Sequence, residues 1–209
     1  MPMTFKQFIE KLIKEKAPGP SPTFSVFHVV RALEFIAEKN IGRGRLAESL
    51  EVGEGAMRTL IGRLKDAGLI ETSKSGCTLT GKGLKLWREY KSVFSKKVEV
   101  GKNELAIAKH NVAILIKNRG HKIKLGVEQR DAAVMAGAKG ATTIVFSGGR
   151  LVIPSVSDAM AKDFPKASSQ ITENFDLEEN DVIIIGSADT LGKAECGALA
   201  AAWTLLNDC

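Results

Sequence analysis

Ile185-Gly186-Ser187-Ala188-Asp189-Thr190-Leu191-Gly192-Lys193-Ala194 brings two glycines, two hydroxyls, a carboxylate and a lysine together. The segment follows an apolar run and precedes an Ala-rich one, so the pattern predicts a strand-to-helix junction, where main-chain N–H groups and the helix dipole favour an anion. Gly186, Ser187, Asp189 and Lys193 are therefore candidates for holding an anionic or polar small molecule; the alternative is a turn capped by Asp189 or Thr190. A second polar group, Glu128-Gln129-Arg130-Asp131, falls in the expected first turn of another helix. Four consecutive helical side chains cannot all face a core, so Glu128, Arg130 and Asp131 either meet solvent or line a pocket, with capping and close packing as the ordinary explanation. A third group is cationic. Arg43, Arg45, Arg58, Arg63, Lys65 and Lys74 surround one expected face, and the stretch from Lys39 to Ala47 contains no acid. Their natural counterpart is phosphate.

Conventional catalytic sets are missing. The 185–194 junction departs twice from the phosphate-cradling pattern G-x-x-x-x-G-K-[ST]: five residues rather than four separate Gly186 from Gly192, and Ala194 stands where a hydroxyl would hold magnesium. No obvious second acidic strand supplies the metal, which argues against an ATPase or GTPase. His110 and His121 have no GxSxG serine, no HExxH and no paired cysteine ligands beside them. Cys77, Cys196 and Cys209 are odd in number and include no CxxC, which excludes a disulfide framework and a zinc knuckle. The expectation is a protein that is not an enzyme and uses neither metal nor cofactor.

With 209 residues, 44% hydrophobic and 26% charged, the chain is long enough for one large domain or two small ones and is not disordered over most of its length. No apolar run approaches the roughly 18 residues of a bilayer span. The N-terminus is amphipathic, carries Glu10 and Glu15 and shows no secretory cleavage pattern, so the expected location is cytoplasmic and the expected partners do not include a membrane. The formal charge is +6, unevenly placed: residues 1–97 hold 18 Lys/Arg against 10 Asp/Glu, a net of +8, and residues 98–209 hold 12 against 14, a net of −2. A basic first half points to a polyanion, and affinity for it is expected to reside in residues 1–97.

The elements that must position these groups follow from periodicity. Residues 4–16 form an amphipathic helix, ended by the prolines at 18–22 and expected to dock on the body or on a partner chain. Further helices are expected from Phe24 to Lys39 (with His28 inside it as a packed or surface residue), from Arg43 to Leu50 and from Glu54 to Ala67, the last closed by a left-handed Gly68. Glu71–Ser73 and Cys77–Leu79 make a hairpin about Lys74-Ser75-Gly76, and Thr80 caps a helix carrying Leu84, Trp87, Tyr90 and Phe94. Ser95-Lys96-Lys97 is the expected domain boundary. Beyond it, strands are expected at 112–116, 142–146, 151–153 and 182–185 and helices at 127–139, 167–174 and 191–206. That order is α+β: an N-terminal helical domain with a hairpin (1–97), then a small two-layer α/β sandwich (98–209) whose mostly antiparallel sheet packs helices on one face.

On a helical wheel of the 54–67 segment, Met57, Leu60, Ile61, Leu64 and Ala67 share one face, and Gly55, Arg58, Thr59 and Gly62 the opposite one. An apolar back and a small, polar front are what a helix inserted in the major groove requires. Gly55 and Gly62 weaken the helix by roughly 1 kcal/mol each against alanine, offset either by close backbone approach to DNA or simply reflecting loose packing. Arg58 suits a guanine edge or a phosphate. Arg45-Leu46-Ala47, Val52-Gly53-Glu54, Leu60-Ile61-x-Arg63-Leu64-x-x-x-Gly68-Leu69-Ile70 and Leu79-Thr80-x-x-Gly83 together make residues 24–94 resemble winged helix-turn-helix transcription regulators. Two departures stand out: Glu54 is an acid at the start of the recognition helix, and Lys74 is the only cation of the wing.

Gly126-Val127-Glu128-Gln129-Arg130-Asp131, Gly140-Ala141-Thr142-Thr143 and Glu195-x-Gly197-Ala198-Leu199-Ala200-Ala201-Ala202 extend the resemblance. Over nearly its whole length the chain is similar to archaeal two-domain proteins that join a winged helix to a C-terminal domain of unknown function, related in fold to the GAD insert of some aminoacyl-tRNA synthetases. The resemblance implies a DNA-binding transcription regulator. Arg58 and Thr59 would lie nearest the bases, with Gly55 on the same DNA-binding face, and Arg43, Arg45, Arg63, Lys65 and Lys74 nearest the phosphates. The second domain would sense a small molecule or hold a homodimer on paired half-sites. The alternative reading is a small-molecule or nucleotide-binding enzyme with an accessory winged helix.

Overall fold

The computed structural model describes residues 4–14 and 24–206. The proline-rich stop at 18–22 and Cys209 lie outside them. The chain divides into two compact units, Met1–Tyr90 and Lys91–Cys209.

In the first unit, α1 (Phe5–Lys14) buries Phe5, Ile9 and Leu12. It docks within its own unit: the Phe5 ring lies 5.3 Å from that of Tyr90, and the Lys82 ammonium sits 5.3 Å from the Phe8 ring. Next come α2 (Val26–Glu38), α3 (Arg43–Ser49) and α4 (Glu54–Asp66). Leu33, Leu46, Met57, Leu60, Leu64 and Leu69 are fully enclosed among them. The hairpin β1 (Ile70–Ser73) and β2 (Gly76–Leu79) follows, and α5 (Gly81–Val93) completes the order expected from sequence. The hairpin is tied back to the start of α3 by an antiparallel bridge, with Cys77 N donating to Ile41 O at 2.9 Å.

Two glycines are fixed by this arrangement. Gly76 has φ +121°, and a Cβ there would meet the Ile41 backbone at 2.7 Å; a Cβ on Gly83 would meet Leu69 O at 2.1 Å. Gly83 lets the first turn of α5 lie on the Gly68–Leu69 turn. There Thr80 Oγ1 donates to Gly68 O at 2.6 Å and accepts from Gly83 N at 3.0 Å, while Lys82 Nζ donates to Ala67 O at 2.7 Å. The orphan carbonyls at the end of α4 are thus satisfied by the start of α5. Leu84, expected on the apolar stripe of this helix, is 42% exposed.

The second unit is built on one sheet of order β3-β4-β7-β5-β6, antiparallel at every pairing. Its strands are β3 (Phe94–Glu99), β4 (His110–Ile116), β5 (Gly140–Ser147), β6 (Arg150–Val152) and β7 (Val182–Ala188). β3 had no counterpart in the sequence reading, and it occupies Ser95-Lys96-Lys97. Those lysines belong to an edge strand, where charged side chains are at home. Every residue of β7 is buried, which requires cover on both faces. On one face α9 (Leu191–Trp203) and α6 (Val127–Met135) pack; on the other, Met160 of α7 (Met160–Asp163) and Ala167 and Ile171 of α8 (Pro165–Asn174) cluster with Ala113, Leu115, Ile144, Ile183 and Ile185. The α+β class and the antiparallel sheet are as read; a helical layer on the second face is added to them.

Buried Asp181 ties the layers at one end. Its carboxylate accepts from Asn118 N at 3.0 Å, Glu178 N at 2.9 Å and Lys117 Nζ at 2.9 Å. Burial alone would lower the Lys117 pKa, but the hydrogen bond and charge of Asp181, with Glu178, raise it above the ordinary lysine value.

Candidate nucleic-acid interface

α4 turns the expected apolar face inward: Met57, Leu60, Ile61 and Leu64 are buried. Gly55, Arg58 and Thr59 are exposed, and Gly62 is half-buried on the same outward side. A Cβ on Gly55, Gly62 or Gly44 would meet nothing within 4 Å, so packing inside the protein gives no reason for a glycine at any of them. Thr59 Oγ1 donates to Gly55 O at 3.1 Å. Its proton is committed to the backbone, and toward an outside partner the hydroxyl presents lone pairs. Asp66 is also exposed and falls on the outward side one turn beyond Gly62. Exposed Glu54 in the first turn and Asp66 at the far end bracket Arg58, so the outward face of α4 is a polar surface with one cation at its centre.

Arg43 and Arg45 are exposed on α3, Lys65 on the flank of α4 and Lys74 at the tip of the hairpin. Arg63 departs from its expected place. Its guanidinium donates to the carbonyls of Leu12 (2.9 Å) and Ile13 and stacks 5.4 Å from the Phe24 ring. A cation at the C-terminus of α1 complements that helix dipole, and it is withdrawn from the phosphate-facing set.

His28 is the third residue of α2, and it takes part in capping. Its Nδ1 accepts from Ser25 N at 3.0 Å and lies 2.9 Å from Ser25 Oγ, closing a capping box. Burial lowers its pKa. Burial raises the Cys77 pKa, against the pull of Lys65. Burial thus disfavours its thiolate form.

In the second unit internal packing accounts for much of the 185–194 segment. β7 runs on to Ala188, leaving only Asp189 and Thr190 before α9. Gly186 sits mid-strand, where a Cβ would meet Ala198 N at 2.5 Å and Ala194 O at 2.6 Å. Ser187 Oγ is buried and donates to Asn111 Oδ1 at 2.6 Å. Neither residue lines an open loop. Asp189 forms an ion pair with Lys139, Lys193 is exposed, and Thr190 caps α9 by accepting from Lys193 N at 3.4 Å. Of the 128–131 cluster, Gln129 is buried and donates to Thr204 Oγ1 at 2.8 Å, while Glu128, Arg130 and Asp131 are exposed and Arg130 pairs with Asp131 at 3.0 Å. Of the seven candidates, Gly186 and Ser187 are taken up by internal packing, while Glu128, Arg130, Asp131, Asp189 and Lys193 remain at the surface. Among the described residues no group of three or more His, Cys, Asp or Glu could hold a metal ion.

Divided at Tyr90, the charge is 15 Lys/Arg against 10 Asp/Glu in the first unit and 15 against 14 in the second, +5 and +1. The basic excess still belongs to the first unit, but Lys91, Lys96 and Lys97 belong to the second.

The architecture defines a two-domain α+β protein whose first unit carries the basic excess and presents a polar, glycine-bearing helix face. Residues 28–85 match the family model of the PH0730-like N-terminal domain, and residues 107–205 match that of the Domain of unknown function (DUF4443). The chain is similar in structure to the hypothetical protein PH0730 from Pyrococcus horikoshii OT3, with a TM-score of 0.71 and 29% sequence identity over 87% of this chain and 92% of that one. The likeness thus extends across both units and to an archaeal relative. No curated protein matches significantly.

Proposed function

We propose that the first unit is a winged helix-turn-helix domain that binds duplex DNA, and that the chain is a transcription regulator. One observation carries this reading: the outward face of α4 combines Arg58 and Thr59 with Gly55 and Gly62, glycines that no internal contact requires. Glycines on an exposed helix face weaken the helix by roughly 1 kcal/mol each, and close approach of a groove is the compensation they suit. Arg43 and Arg45 from α3, Lys65 beside the hairpin and Lys74 at its tip are the phosphate contacts on this reading. Arg58 and Thr59 reach base edges, Thr59 accepting from an exposed base amino group. The second domain holds a dimer together on paired half-sites or senses a small molecule, and the chain acts as a binding protein rather than an enzyme. No described helix is long and apolar enough to cross a membrane.

The test is selection of binding sequences from genomic DNA with the full chain, followed by titration of Arg58→Ala on the selected and a scrambled duplex. Loss of roughly 1–3 kcal/mol on the selected duplex with little change on the scrambled one is expected. Weak binding that ignores both sequence and the substitution overturns the proposal.

A further inference from the structure

The outward face of α6 carries a pattern that the packing of its own unit does not use. Gln129 and Ala133 are buried, whereas Val127 is 45% exposed, Val134 49% and Met135 89%. Val127, Arg130, Asp131 and Val134 are spaced i, i+3, i+4 and i+7, so they form one stripe. That stripe reads the same from both ends with the charges inverted: Val-x-x-Arg, then Asp-x-x-Val. Laid antiparallel against itself about a twofold axis between positions 130 and 131, it sets Val127 against Val134 of the second copy and Arg130 against Asp131 of the second copy.

We propose that α6 is the surface through which two copies of this chain associate, as an antiparallel helix pair with a four-charge cluster at its centre and valines on either side. An isologous contact must be complementary to itself, and this stripe is so in both hydrophobicity and charge. Leu125, exposed just before the helix, and Met135 widen its apolar rim. Arg130 and Asp131 pair with each other along the helix. The second copy brings its own pair alongside with the opposite charges in register, so each charge gains a further partner across the axis. A single pair of short helices buries less than the roughly 800 Å² per partner of a standard interface, and the association is accordingly a weak, concentration-dependent one. The proposal deepens the reading of the second domain as a dimerisation domain.

Sedimentation velocity of the full chain without DNA, from low to high micromolar concentration, is the test. The dimer fraction is expected to rise with concentration. Arg130→Asp and Asp131→Arg, each of which sets like charges opposite one another, are expected to raise the dimer dissociation constant about tenfold or more. The double inversion, which restores the pattern, is expected to return it near the starting value. Val134→Glu is expected to give monomer. All four positions face solvent, and thermal melts check that the fold survives. A wild-type chain that stays monomeric, a dimer indifferent to Val134→Glu and to both single inversions, or single inversions that the double variant does not rescue each overturn the interface. A dimer that ignores DNA leaves the interface standing and removes the DNA-binding proposal; DNA binding by a monomer does the reverse.

Discussion

The Arg63 guanidinium donates to the carbonyl of Leu12 at 2.9 Å, joining α4 to the C-terminal end of α1. One of the five cations assigned to phosphate is thereby a fastener of the domain. A hydrogen bond to a charged donor contributes about 1.5–3 kcal/mol. Arg63→Ala is expected to lower stability in urea titration by about that amount. The salt dependence of DNA binding, measured where the variant is folded, should match wild type, whereas Arg45→Ala should reduce the slope by about one phosphate contact.

Gly62→Ala separates stability from recognition. Nothing lies within 4 Å of the added methyl group, and the position is in the interior of α4. The substitution is expected to stabilise the chain by about 0.5–1 kcal/mol and to weaken DNA binding, because the methyl group would stand in the face that approaches the groove. A variant that is both more stable and binds as well as wild type counts against that face.

Acid should loosen α2. Burial holds the His28 imidazole below its ordinary value of 6.5, and its Nδ1 accepts a hydrogen bond only when neutral. In the unfolded chain the same imidazole takes up a proton near its ordinary value, so the unfolded state binds more protons as the pH falls through it. The stability tied to neutral His28 is therefore complete above about pH 6.5 and declines below it, toward the lowered pKa of the folded state. Melting temperatures between pH 5 and 7.5 are expected to fall on the acid side in wild type and to fall less in His28→Gln, whose amide can close the same capping box.

Gly186→Ala probes the alternative assignment of that residue. A methyl group there meets Ala198 N at 2.5 Å, so α9 must move off the sheet. Overpacking of this kind costs about 1–3 kcal/mol, read as a lower midpoint in chemical denaturation. Gly192→Ala, in open space in the first turn of α9, should not lower stability. A phosphate-cradling loop would predict the opposite emphasis, with anion binding lost in both.

The parts of this molecule visible in the chain are those set by local periodicity. The division of α4 into an inner face of Met57, Leu60, Ile61 and Leu64 and an outer face of Arg58 and Thr59 follows from 3.6 residues per turn, and the left-handed Gly68 from the end of that pattern. Contacts between distant segments were hidden. The partners of Arg63 lie some fifty positions away, and nothing near Arg63 distinguishes it from the exposed arginines. Gly186-Ser187 has the composition of a ligand loop because close helix–strand packing asks for the same small residues. β3 was missed because Lys96 and Lys97 mark a solvent-facing edge as readily as a linker. Along the chain the stripe on α6 reads as a polar run: Val127 and Val134 flank it at helical spacing, but their exposure depends on which side meets α9.

The strand order also governs how the chain can be made. β7 lies at the centre of the sheet, paired to β4 on one side and to β5 on the other, yet it is the last strand in sequence. The β3–β4 and β5–β6 pairs have no direct pairing with one another and remain separate ribbons until Val182–Ala188 arrives between them. The first unit, made of neighbouring helices and a short hairpin, has no such requirement. During synthesis it can close while the rest is still being translated, whereas the halves of the second unit can join only once residues 182–188 have been made.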